Sequence, residues 1–310
     1  MADSSGTRSP GLFSPRHWPT WFAVGLLRLA LVLPYGWLYR LGRGLGQLGM
    51  RLAPGKRCIV ETNLRLCFPQ ASETERREMV RECFASLGVM LFEIPLAWWG
   101  KQARLDRLVE VEGREHLQRA LEGGRGVILL SAHLTTLELS GRFVSPIHPI
   151  NVSYRLDKNA VFNRLSLAGR SRHYRRVMSR DDVRALIRTL KEGGALWFAP
   201  DENFPRENRI IARFMGVPAA TNPATARFAR LGRAAVVPFA LYRRREGRGY
   251  RLVFLPPLEG FPSGDAIKDA QRVNDALTEL VRRAPEQYLW IQKRFLHGAE
   301  GQLDTYDHCR

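Results

Sequence analysis

The sequence predicts an α/β protein: a mixed, mainly parallel central sheet flanked by helices, with an N-terminal membrane-associated helix. From Gly113 onward, short β-like runs alternate with helical runs that end in glycine, as in strand–helix–strand units. Before that point, residues 18–39 are apolar and rich in tryptophan, and residues 40–100 have helical periodicity. With 310 residues and 45% hydrophobic content, the chain can bury a substantial core.

The apolar run WPTWFAVGLLRLALVLPYGWLY, from Trp18 to Tyr39, has about the length needed to cross a bilayer, with aromatic residues near both ends. Arg28 near its middle costs roughly 2.5–3.5 kcal/mol on insertion, and Pro34 weakens a straight helix. A membrane helix over residues 17–40, either spanning or lying on the surface, and a core helix hairpin are the alternatives. The tryptophans and the cations that follow favour the membrane, and a spanning helix would place the rest of the chain in the cytoplasm.

Four segments are predicted along the chain. They are a flexible N-terminus (1–16), the membrane helix (17–40), a helical region packed on the following domain (41–104) and the α/β domain itself (105–310). In the helical region, Ser72-x-x-Glu75 is a capping box that begins a helix. The run MLFEIPLAWW is too apolar to be solvated, so we expect it to pack in the core rather than to touch the membrane.

The α/β domain is predicted from its local patterns. VILLSA, ALWFAP and AVVPFALYRR are expected to be strands, and EHLQRALEGG, DDVRALIRTLKEGG and PATARFARLG are expected to be helices. REGRG is expected to join the third of these strands to YRLVFLPPL as a hairpin.

The charge balance predicts an anionic partner, since 48 Lys and Arg against 30 Asp and Glu give a formal net charge of +18. Nucleic acid, an anionic membrane and an acidic protein are all candidates. A nucleic-acid-binding protein is the rival from another functional class, but zinc-ligand spacing, RNP-like and helix-turn-helix patterns are missing from the sequence. It would also leave the apolar N-terminal run unexplained.

The cysteines show no C-x-x-C spacing, and four in a chain of this length do not make a disulfide framework. We therefore expect Cys58, Cys67, Cys83 and Cys309 to be reduced thiols in a cytosolic environment. The sequence also lacks a clustered set of His, Cys and Asp ligands, so no metal or cofactor is expected.

The stretch GVILLSAHLTTLELSGR contains the candidate catalytic residues. If VILLSA is a strand, His133 lies in the loop at its carboxyl end, where open α/β sheets bind ligands, and Glu138 lies in the first turn of the next helix. A histidine held by a carboxylate is a general base. However, Thr135-x-x-Glu138 also matches a capping box, and the pattern alone does not separate the two interpretations. No G-x-S-x-G elbow or neighbouring cysteine is present, so the attacking hydroxyl would belong to the substrate.

Five segments together resemble the bacterial lipid A biosynthesis acyltransferases, and the similarity extends from the apolar N-terminus to about Phe295. They are the H-x-x-x-x-E element ending at Glu138, SYRLDKNAVFNRLSLAGRSR, ALWFAPDENF, ARLGRAAVVPFALYRR and APEQYLWIQKRF. The wider glycerolipid and lysophospholipid acyltransferase superfamily more often has Asp at the position of Glu138. Its FPEG-type motif is replaced here by APDENFPRENR, which argues against a glycerol-phosphate acceptor.

The resemblance implies transfer of a fatty acyl chain from acyl carrier protein to a hydroxyl of a hydroxyacyl chain on a Kdo-bearing lipid A precursor. His133 would deprotonate this hydroxyl and Glu138 would orient His133. Asp201 would hold a basic partner, and Arg170 would bind the substrate or the developing anion. The full set of substrate-binding candidates is Arg170, Asp201, Arg155, Asn159 and Arg294.

Each of these has a simpler structural alternative. Arg170 lies in a cationic run that could be a solvated face, Asp201 could cap the next segment, and Arg155 could merely end a strand. In the last matching segment, we expect Tyr288, Trp290 and Phe295 to pack in the core.

The resemblance also implies the partners: acidic acyl carrier protein, the phosphates of the lipid A precursor and the anionic lipids of the cell inner membrane, but no nucleic acid. A group of arginines could meet any of these three: Arg164, Arg170, Arg172, Arg175, Arg176 and Arg180. The catalytic domain would face the cytoplasm. The alternative within the class is an acyltransferase that uses acyl coenzyme A and acts on another membrane glycolipid or, less favoured, on a lysophospholipid. The DENFPRENR segment is closer to the lauroyl-adding than to the myristoyl-adding branch, although acyl length depends on pocket depth.

Overall fold

The computed structural model describes residues 11–155, 159–297 and 305–309. Most of the predicted flexible N-terminus, residues 1–16, therefore lies outside the described residues. The rest comprises a seven-stranded sheet with a buried apolar cluster on each face, a separate β-hairpin and a group of N-terminal helices.

The helices of the described residues are α1 Trp18–Ala30, α2 Tyr35–Leu52, α3 Pro54–Cys67, α4 Glu73–Trp99, α5 Gln102–Asp106, α6 Arg114–Glu122, α7 Leu137–Val144, α8 Ala160–Ser171, α9 Val183–Lys191, α10 Ala224–Gly232 and α11 Ala266–Arg282. The strands are β1 Val109–Glu112, β2 Val127–Leu130, β3 Ile150–Tyr154, β4 Arg176–Ser179, β5 Ala195–Phe198, β6 Ile210–Phe214, β7 Val217–Thr221, β8 Ala235–Arg243 and β9 Tyr250–Phe254. All six of the elements predicted in the α/β domain, and the β8–β9 hairpin, are confirmed.

The strand order in the large sheet is β1-β9-β8-β2-β5-β3-β4. The five strands from β8 to β4 are mutually parallel, whereas β9 runs antiparallel to β8 and β1 runs parallel to β9. The predicted mixed, mainly parallel sheet is therefore confirmed. Strands β6 and β7 form a separate antiparallel hairpin.

Strand β2 lies at the centre of the sheet and is covered on both faces. Ile128 and Leu130 belong to one buried cluster, and Val127 and Leu129 belong to the cluster on the other face. Because successive side chains of a strand point to opposite faces, a strand buried on both sides is apolar throughout. This explains the uninterrupted apolar run before His133.

The N-terminal apolar run forms two helices instead of the single helix predicted over residues 17–40. Helix α1 ends at Ala30, and α2 begins at Tyr35 with Pro34 as its N-cap residue. Proline lacks the N–H that a continuous helix would need, so the chain breaks before it. Among the described residues, each helix is too short or too polar to cross a membrane.

Large apolar side chains are exposed along α1, α2 and the turn between them. They are Trp18, Phe22, Leu26, Leu29, Val32, Trp37, Leu41, Leu45, Leu48 and Leu52. We call this surface the N-terminal apolar face. The opposite side of α2 is buried against α4 through residues that include Leu38, Gly42 and Gly46. Helix α2 thus packs one side against α4, and among the described residues its apolar side is left exposed.

Helices α2 and α4 approach each other at three glycines. A β-carbon added to Gly46 would lie 1.9 Å from the carbonyl oxygen of Phe84, and one added to Gly88 would lie 2.0 Å from the carbonyl oxygen of Gly42. Larger side chains would force the two backbones apart. The ion pair between Arg43 and Glu82, 2.6 Å long, joins the same two helices.

Helix α4 is 27 residues long and begins with the predicted capping box, in which Ser72 and Glu75 exchange side-chain and backbone hydrogen bonds. Its apolar second half packs in the core as expected, with Phe92, Leu96 and Trp98 buried. Glu93 lies buried among them.

The expectation of four reduced cysteines is wrong for two of them. Cys58 and Cys309 form a disulfide across a sequence separation of 251 residues, whereas Cys67 and Cys83 are free and buried. The bond attaches the carboxyl-terminal segment to α3. Spacing along the chain could not indicate it, because only the fold brings α3 and residue 309 together.

The α2–α4 contact predicts opposite outcomes for two glycines of the same helix. Gly46→Ala should lower the free energy of unfolding by about 1–3 kcal/mol, because overpacking forces the helices to shift. Gly44→Ala is the matched control: its added β-carbon meets nothing within 4 Å, so better helix propensity should stabilise the protein by up to about 1 kcal/mol. Thermal unfolding in detergent measures both, and equal melting temperatures for the two variants would contradict the close approach of the helices.

Candidate active site

Two neighbouring strands bring the site together. Strands β2 and β5 are parallel, with Leu130 opposite Phe198. His133 and Asp201 each lie three residues beyond this pair, so both emerge at the carboxyl edge of the sheet, where α/β proteins bind their ligands.

Asp201 holds His133 through both of its carboxylate oxygens. Oδ2 accepts the backbone N–H of His133 at 2.8 Å, and Oδ1 lies 2.6 Å from Nδ1 of the ring. Because an ionised carboxylate can only accept, Nδ1 carries the proton and Nε2 is the nitrogen that can act as a base. The Asp201 side chain is 1% exposed and that of His133 is 22% exposed, so the ring alone reaches solvent.

Burial and charge act in opposite directions on this pair. Burial lowers the pKa of His133, but the Asp201 carboxylate raises it more, to a net value of about 9. Likewise, burial raises the pKa of Asp201, but His133 lowers it more, so the carboxyl stays ionised. The exposed carboxylate of Glu202 lies 3.8 Å from His133 Nε2 and adds to the negative potential around the ring.

Glu138 was predicted to orient His133, but in the structure the carboxylate that contacts the His133 ring belongs to Asp201. Glu138 Oε1 accepts from Trp98 Nε1 at 2.6 Å and from Arg170 Nε at 2.9 Å, and its Oε2 accepts from Arg170 Nη2 at 2.6 Å. Glu138 is therefore one half of a second ion pair. The expectation that Asp201 holds a basic partner agrees with the observed contact, and the alternative that it merely caps a segment does not.

The capping-box interpretation of Thr135 and Glu138 is not what the structure shows either. Helix α7 has Thr136 as its N-cap residue, without a side-chain capping bond. The Thr135 hydroxyl instead lies 2.8 Å from that of Ser86 on α4. Both members of the expected box thus have partners from distant parts of the chain.

Arg170 lies in the last turn of α8 and is not part of a solvated face, since its side chain is only 20% exposed. Burial lowers the pKa of its guanidinium, but Glu138 raises it more, which leaves a net increase. The Tyr174 hydroxyl donates to the backbone carbonyl of Glu138 at 3.3 Å and so supports the same pair. In the rest of the predicted arginine group, Arg176 pairs with Glu192 at 3.2 Å. The remaining members are exposed: Arg164, Arg172, Arg175 and Arg180.

The other predicted binding residues lie in different surroundings. Arg155 is exposed where β3 ends, directly before residues 156–158, which lie outside the described residues. Asn159 caps α8 by accepting from the Phe162 N–H, and its Nδ2 donates to the hydroxyl of Thr20 at 3.1 Å. Asn159 thereby connects α8 to α1.

Arg294 is a buried residue, 1% exposed. Its Nη1 donates to the Ala220 carbonyl at 2.8 Å, and its guanidinium lies 5.3 Å from the centre of the Phe214 ring. Burial lowers the pKa of Arg294, although the neighbouring groups Tyr288 and Asp201 oppose this shift. It thus lies beneath the surface that a substrate would touch. The expected packing of Tyr288, Trp290 and Phe295 in the core is confirmed.

Sequence patterns did not identify every residue of this site. Trp98, which donates to Glu138, was assigned only a packing role. The pairing of His133 with Asp201 could have been inferred by aligning VILLSAH with ALWFAPD as neighbouring strands. In both segments the site residue is the seventh and last, so it lies the same distance beyond the strand. Their 68-residue separation conceals that alignment.

Other possible ligand-binding sites in the described residues do not include His133 or Asp201. In the described part of the chain, the group with potential metal ligands within 4.8 Å of one another is Cys58, His308 and Cys309, but two of its three ligand atoms are joined in the disulfide. A groove of about 570 Å³ lies between β6–β7 and α11, and a smaller one of about 220 Å³ lies between α10 and α11. Neither is lined by His133 or Asp201.

Nearly the whole chain is similar to proteins of known function. Residues 7–297 match the family described as bacterial lipid A biosynthesis acyltransferase. Among curated relatives, the lipid A biosynthesis lauroyltransferase of Escherichia coli K12 is 38% identical over 299 residues, which covers 96% of this chain and 98% of the relative. The palmitoleoyltransferase of the same organism is 36% identical, with 94% and 95% coverage. Its myristoyltransferase is 28% identical, with 94% and 91% coverage.

These similarities agree with the resemblance carried by the five sequence segments, and they cover the described sheet and both ion pairs. The chain belongs to the bacterial lipid A biosynthesis acyltransferases.

Proposed function

We propose that this protein transfers a fatty acyl chain from acyl carrier protein to a hydroxyl of a hydroxyacyl chain on a Kdo-bearing lipid A precursor. The observation that carries the proposal is the His133–Asp201 pair at the carboxyl edge of the sheet, in a chain of this family. In this proposal His133 is the base and Asp201 its orienting carboxylate, and within the described residues the side-chain partners of the His133 ring are carboxylates, not a hydroxyl or a thiol. The substrate hydroxyl is the nucleophile.

In this mechanism, Nε2 of neutral His133 removes the proton from the acceptor hydroxyl. The oxygen attacks the thioester carbonyl and forms a tetrahedral oxyanion, whose collapse makes the new ester and breaks the carbon–sulfur bond. The departing thiolate takes the proton back from His133. Asp201 holds Nδ1–H throughout and stabilises the imidazolium by its charge, as the acid of a catalytic triad does.

The Glu138–Arg170 pair has a separate role in this proposal. Two hydrogen bonds to Glu138 fix the Arg170 guanidinium, and Trp98 fixes Glu138 in turn. A cation held in place before the reaction stabilises negative charge in the transition state without the cost of reorganisation. Arg170 would therefore bind the developing anion or a substrate phosphate, and Glu138 would position it. Arg155 and Asn159 are proposed substrate contacts near the start of α8, and Arg294 would act from beneath the site.

The charge distribution supports an acidic acyl donor. Helices α9 and α10 contact each other at Leu190 and Gly232, and neither contains an acidic residue. Of the acids at the ends of α9, Asp182 caps the helix by accepting from the Ala185 N–H, and the other two lie next to other arginines, Asp181 beside Arg180 and Glu192 beside Arg176. Six exposed cations lie on or directly after these helices: Arg184, Arg188, Lys191, Arg227, Arg230 and Arg233. We call this surface the α9–α10 basic face and propose that acyl carrier protein docks on it.

The acyl chain is proposed to be lauroyl, because the DENFPRENR segment resembles the lauroyl-adding branch. The curated relatives differ in their chains: those at 38% and 36% identity are named for lauroyl and palmitoleoyl transfer. An enzyme that takes its acyl chain from acyl coenzyme A for another membrane glycolipid is the alternative.

The N-terminal apolar face supports a location at the cell inner membrane, with the catalytic domain on the cytoplasmic side. An amphipathic helix whose apolar side is exposed can lie in the membrane interface. On α2 this side carries Trp37, Leu41, Leu45, Leu48 and Leu52. Exposed Arg40 and Arg51 on the same helix would meet anionic lipid headgroups. We therefore propose that the protein is monotopic, which means that it attaches to one face of the membrane without crossing it.

The first test is acyl transfer by detergent-solubilised protein from acyl carrier protein to a Kdo-bearing lipid A precursor, followed by mass spectrometry. His133→Ala should lower kcat by about 10²–10⁴-fold, the usual contribution of a general base. Equal rates for wild type and variant would remove His133 from the mechanism. If wild type transfers only from acyl coenzyme A, the alternative donor is correct.

The pH dependence of kcat/KM should report the His133–Asp201 pair. Since the base must be neutral and its pKa is about 9, the rate should rise about tenfold per pH unit from pH 7 and level off near pH 9. In Asp201→Asn the carboxylate is lost, so the midpoint should move down toward about 6.5 while the plateau falls by about 10²–10⁴-fold. Hydrolysis of the thioester without enzyme is subtracted at each pH. A wild-type profile that is flat between pH 6 and 9 would contradict the assignment of the base.

Charge reversal on the α9–α10 basic face should weaken donor binding. Arg184→Glu combined with Arg188→Glu should raise KM for acyl carrier protein at least about tenfold at low salt, and less at high salt, because screening removes the electrostatic attraction. The matched control is Arg114→Glu with Arg119→Glu on α6, which changes the net charge equally at another exposed site. Similar KM increases in both double variants would show that only net charge matters.

Membrane attachment should depend on α2. Replacing Leu41, Leu45 and Leu48 by serine should lower the fraction that sediments with anionic phospholipid vesicles at least about tenfold, since each leucine contributes about 1 kcal/mol on burial in lipid. The control is Ile211→Ser with Ile267→Ser, which removes exposed apolar side chains elsewhere. Unchanged sedimentation of the triple variant would exclude α2 as an attachment surface.

A further inference from the structure

A further buried ion pair, Glu93 with Arg243, is separate from the His133–Asp201 and Glu138–Arg170 pairs. Arg243 Nε donates to Glu93 Oε1 at 2.8 Å, and its Nη2 donates to Oε2 at 2.6 Å. The Tyr250 hydroxyl donates to the same Oε1 at 2.7 Å, and that of Tyr35 at 3.1 Å. The side chains of Arg243 and Glu93 are only 4% and 2% exposed, so these contacts are made away from water.

The remaining donors of Arg243 are directed at the loop that carries His133. Nη1 donates to the Ser86 hydroxyl at 2.7 Å, and Nη2 lies 3.3 Å from the hydroxyl oxygen of Thr135. The Ser86 and Thr135 hydroxyls are 2.8 Å apart and bond to each other. The guanidinium therefore has contacts with α4 and with the residue two positions after His133.

The backbone of Arg243 is connected to the same loop through Gln287. The side-chain amide of Gln287 accepts from the backbone N–H of Arg243 at 2.8 Å and donates to the backbone carbonyl of Arg243 at 3.0 Å. The backbone carbonyl of Gln287 accepts from the Thr135 N–H at 2.7 Å. Two residues later, the backbone N–H of Leu289 donates to the His133 carbonyl at 2.9 Å. The loop is thus fixed by bonds that do not involve Asp201.

Stability alone does not account for an ion pair in this place. Removing two charges from water costs about as much as their attraction returns, and apolar residues of similar volume are often equally stable. Hydrogen bonds, unlike apolar contacts, fix direction. Catalytic groups need a fixed orientation, because a displacement of about 1 Å at the reacting centre can cost about 10²-fold in rate.

We propose that Arg243 and Glu93 are positioning residues, which fix the loop of residues 133–136 through Thr135 and Gln287 and thereby hold His133 in its catalytic orientation. This inference rests on the proposed function for its kinetic test. The structure also offers a test that needs no substrate.

The decisive variant is Thr135→Val, which keeps the shape of the side chain but removes the hydroxyl that contacts Arg243 and Ser86. We expect kcat to fall about 10- to 100-fold with KM within about twofold of wild type, because the geometry of the base changes while the substrate contacts remain. Thr135→Ser retains the hydroxyl and should restore kcat to within about threefold of wild type.

The matched control is Tyr35→Phe. It removes one hydrogen bond from the same Glu93 carboxylate, on α2 and not on the His133 loop. It should lower the melting temperature by an amount similar to Thr135→Val but leave kcat within about twofold of wild type. All rates are measured well below the unfolding transition of each variant.

The substrate-independent readout is modification of His133 by diethylpyrocarbonate as a function of pH, with the His133 peptide quantified by mass spectrometry. Only the neutral ring reacts, so wild type should show a midpoint near pH 9. In Thr135→Val, a loosened contact with Asp201 should move the midpoint down by at least about half a pH unit. Thr135→Ser and Tyr35→Phe should keep the wild-type midpoint.

A lower kcat and a shifted midpoint in Thr135→Val, with neither in Tyr35→Phe, establish positioning. The proposal is overturned if Thr135→Val keeps the wild-type midpoint, even with a lower kcat, since Thr135 would then not act through His133. It is also overturned if Tyr35→Phe loses kcat equally while its modification midpoint stays at the wild-type value, because the loss of rate would then follow from weakening of the network and not from the orientation of His133. If wild type transfers no acyl chain, the proposed function fails and the modification midpoint alone decides the positioning role.

Discussion

The parallel pairing of β2 with β5 is the constraint on which the candidate active site depends. It sets the ends of two strands side by side, so that His133 and Asp201, far apart in sequence, meet at the carboxyl edge. The burial of Asp201 then makes the contact strong, because a buried carboxylate has few competing partners in water. Its charge raises the pKa of His133 and fixes which ring nitrogen is the base.

Helix α4 connects this site to the N-terminal helices. Its glycine contacts with α2 bring the two backbones close and leave the apolar side of α2 exposed. Along its length it also provides Ser86, Glu93 and Trp98, which contact the His133 loop, Arg243 and Glu138 respectively. One helix thus packs against the proposed membrane-binding helix and contacts both the His133 loop and the Glu138–Arg170 pair.

Buried and exposed charges have different roles in this protein. The net charge of +18 comes largely from arginines that remain in water, where they can attract acidic partners over long distances. Three of the buried or partly buried pairs among the described residues use a carboxylate to hold a cation in one geometry near the candidate site or its loop: His133 with Asp201, Arg170 with Glu138, and Arg243 with Glu93. In each case the partners come from different elements, so the pairs also join the layers of the fold.

The sequence by itself determined the elements whose signals are local. The apolar run of β2, the alternation of strands and helices and the capping box at Ser72 are set by neighbouring residues, and all are present. The five matching segments were equally local, and they were sufficient to indicate the family and to identify His133, Glu138, Arg170 and Asp201 as candidates.

Only the tertiary structure decided which of these residues act together. A carboxylate five positions away was the nearest candidate partner for His133, but the sheet provides Asp201 instead and leaves Glu138 to Arg170. The Cys58–Cys309 disulfide was missed for the same reason. The break at Pro34 is different, because its cause is local and was given too little weight against the length of the apolar run. Local patterns fix the conformation of a segment, whereas contacts between segments depend on strand order and packing, which no short stretch of sequence contains.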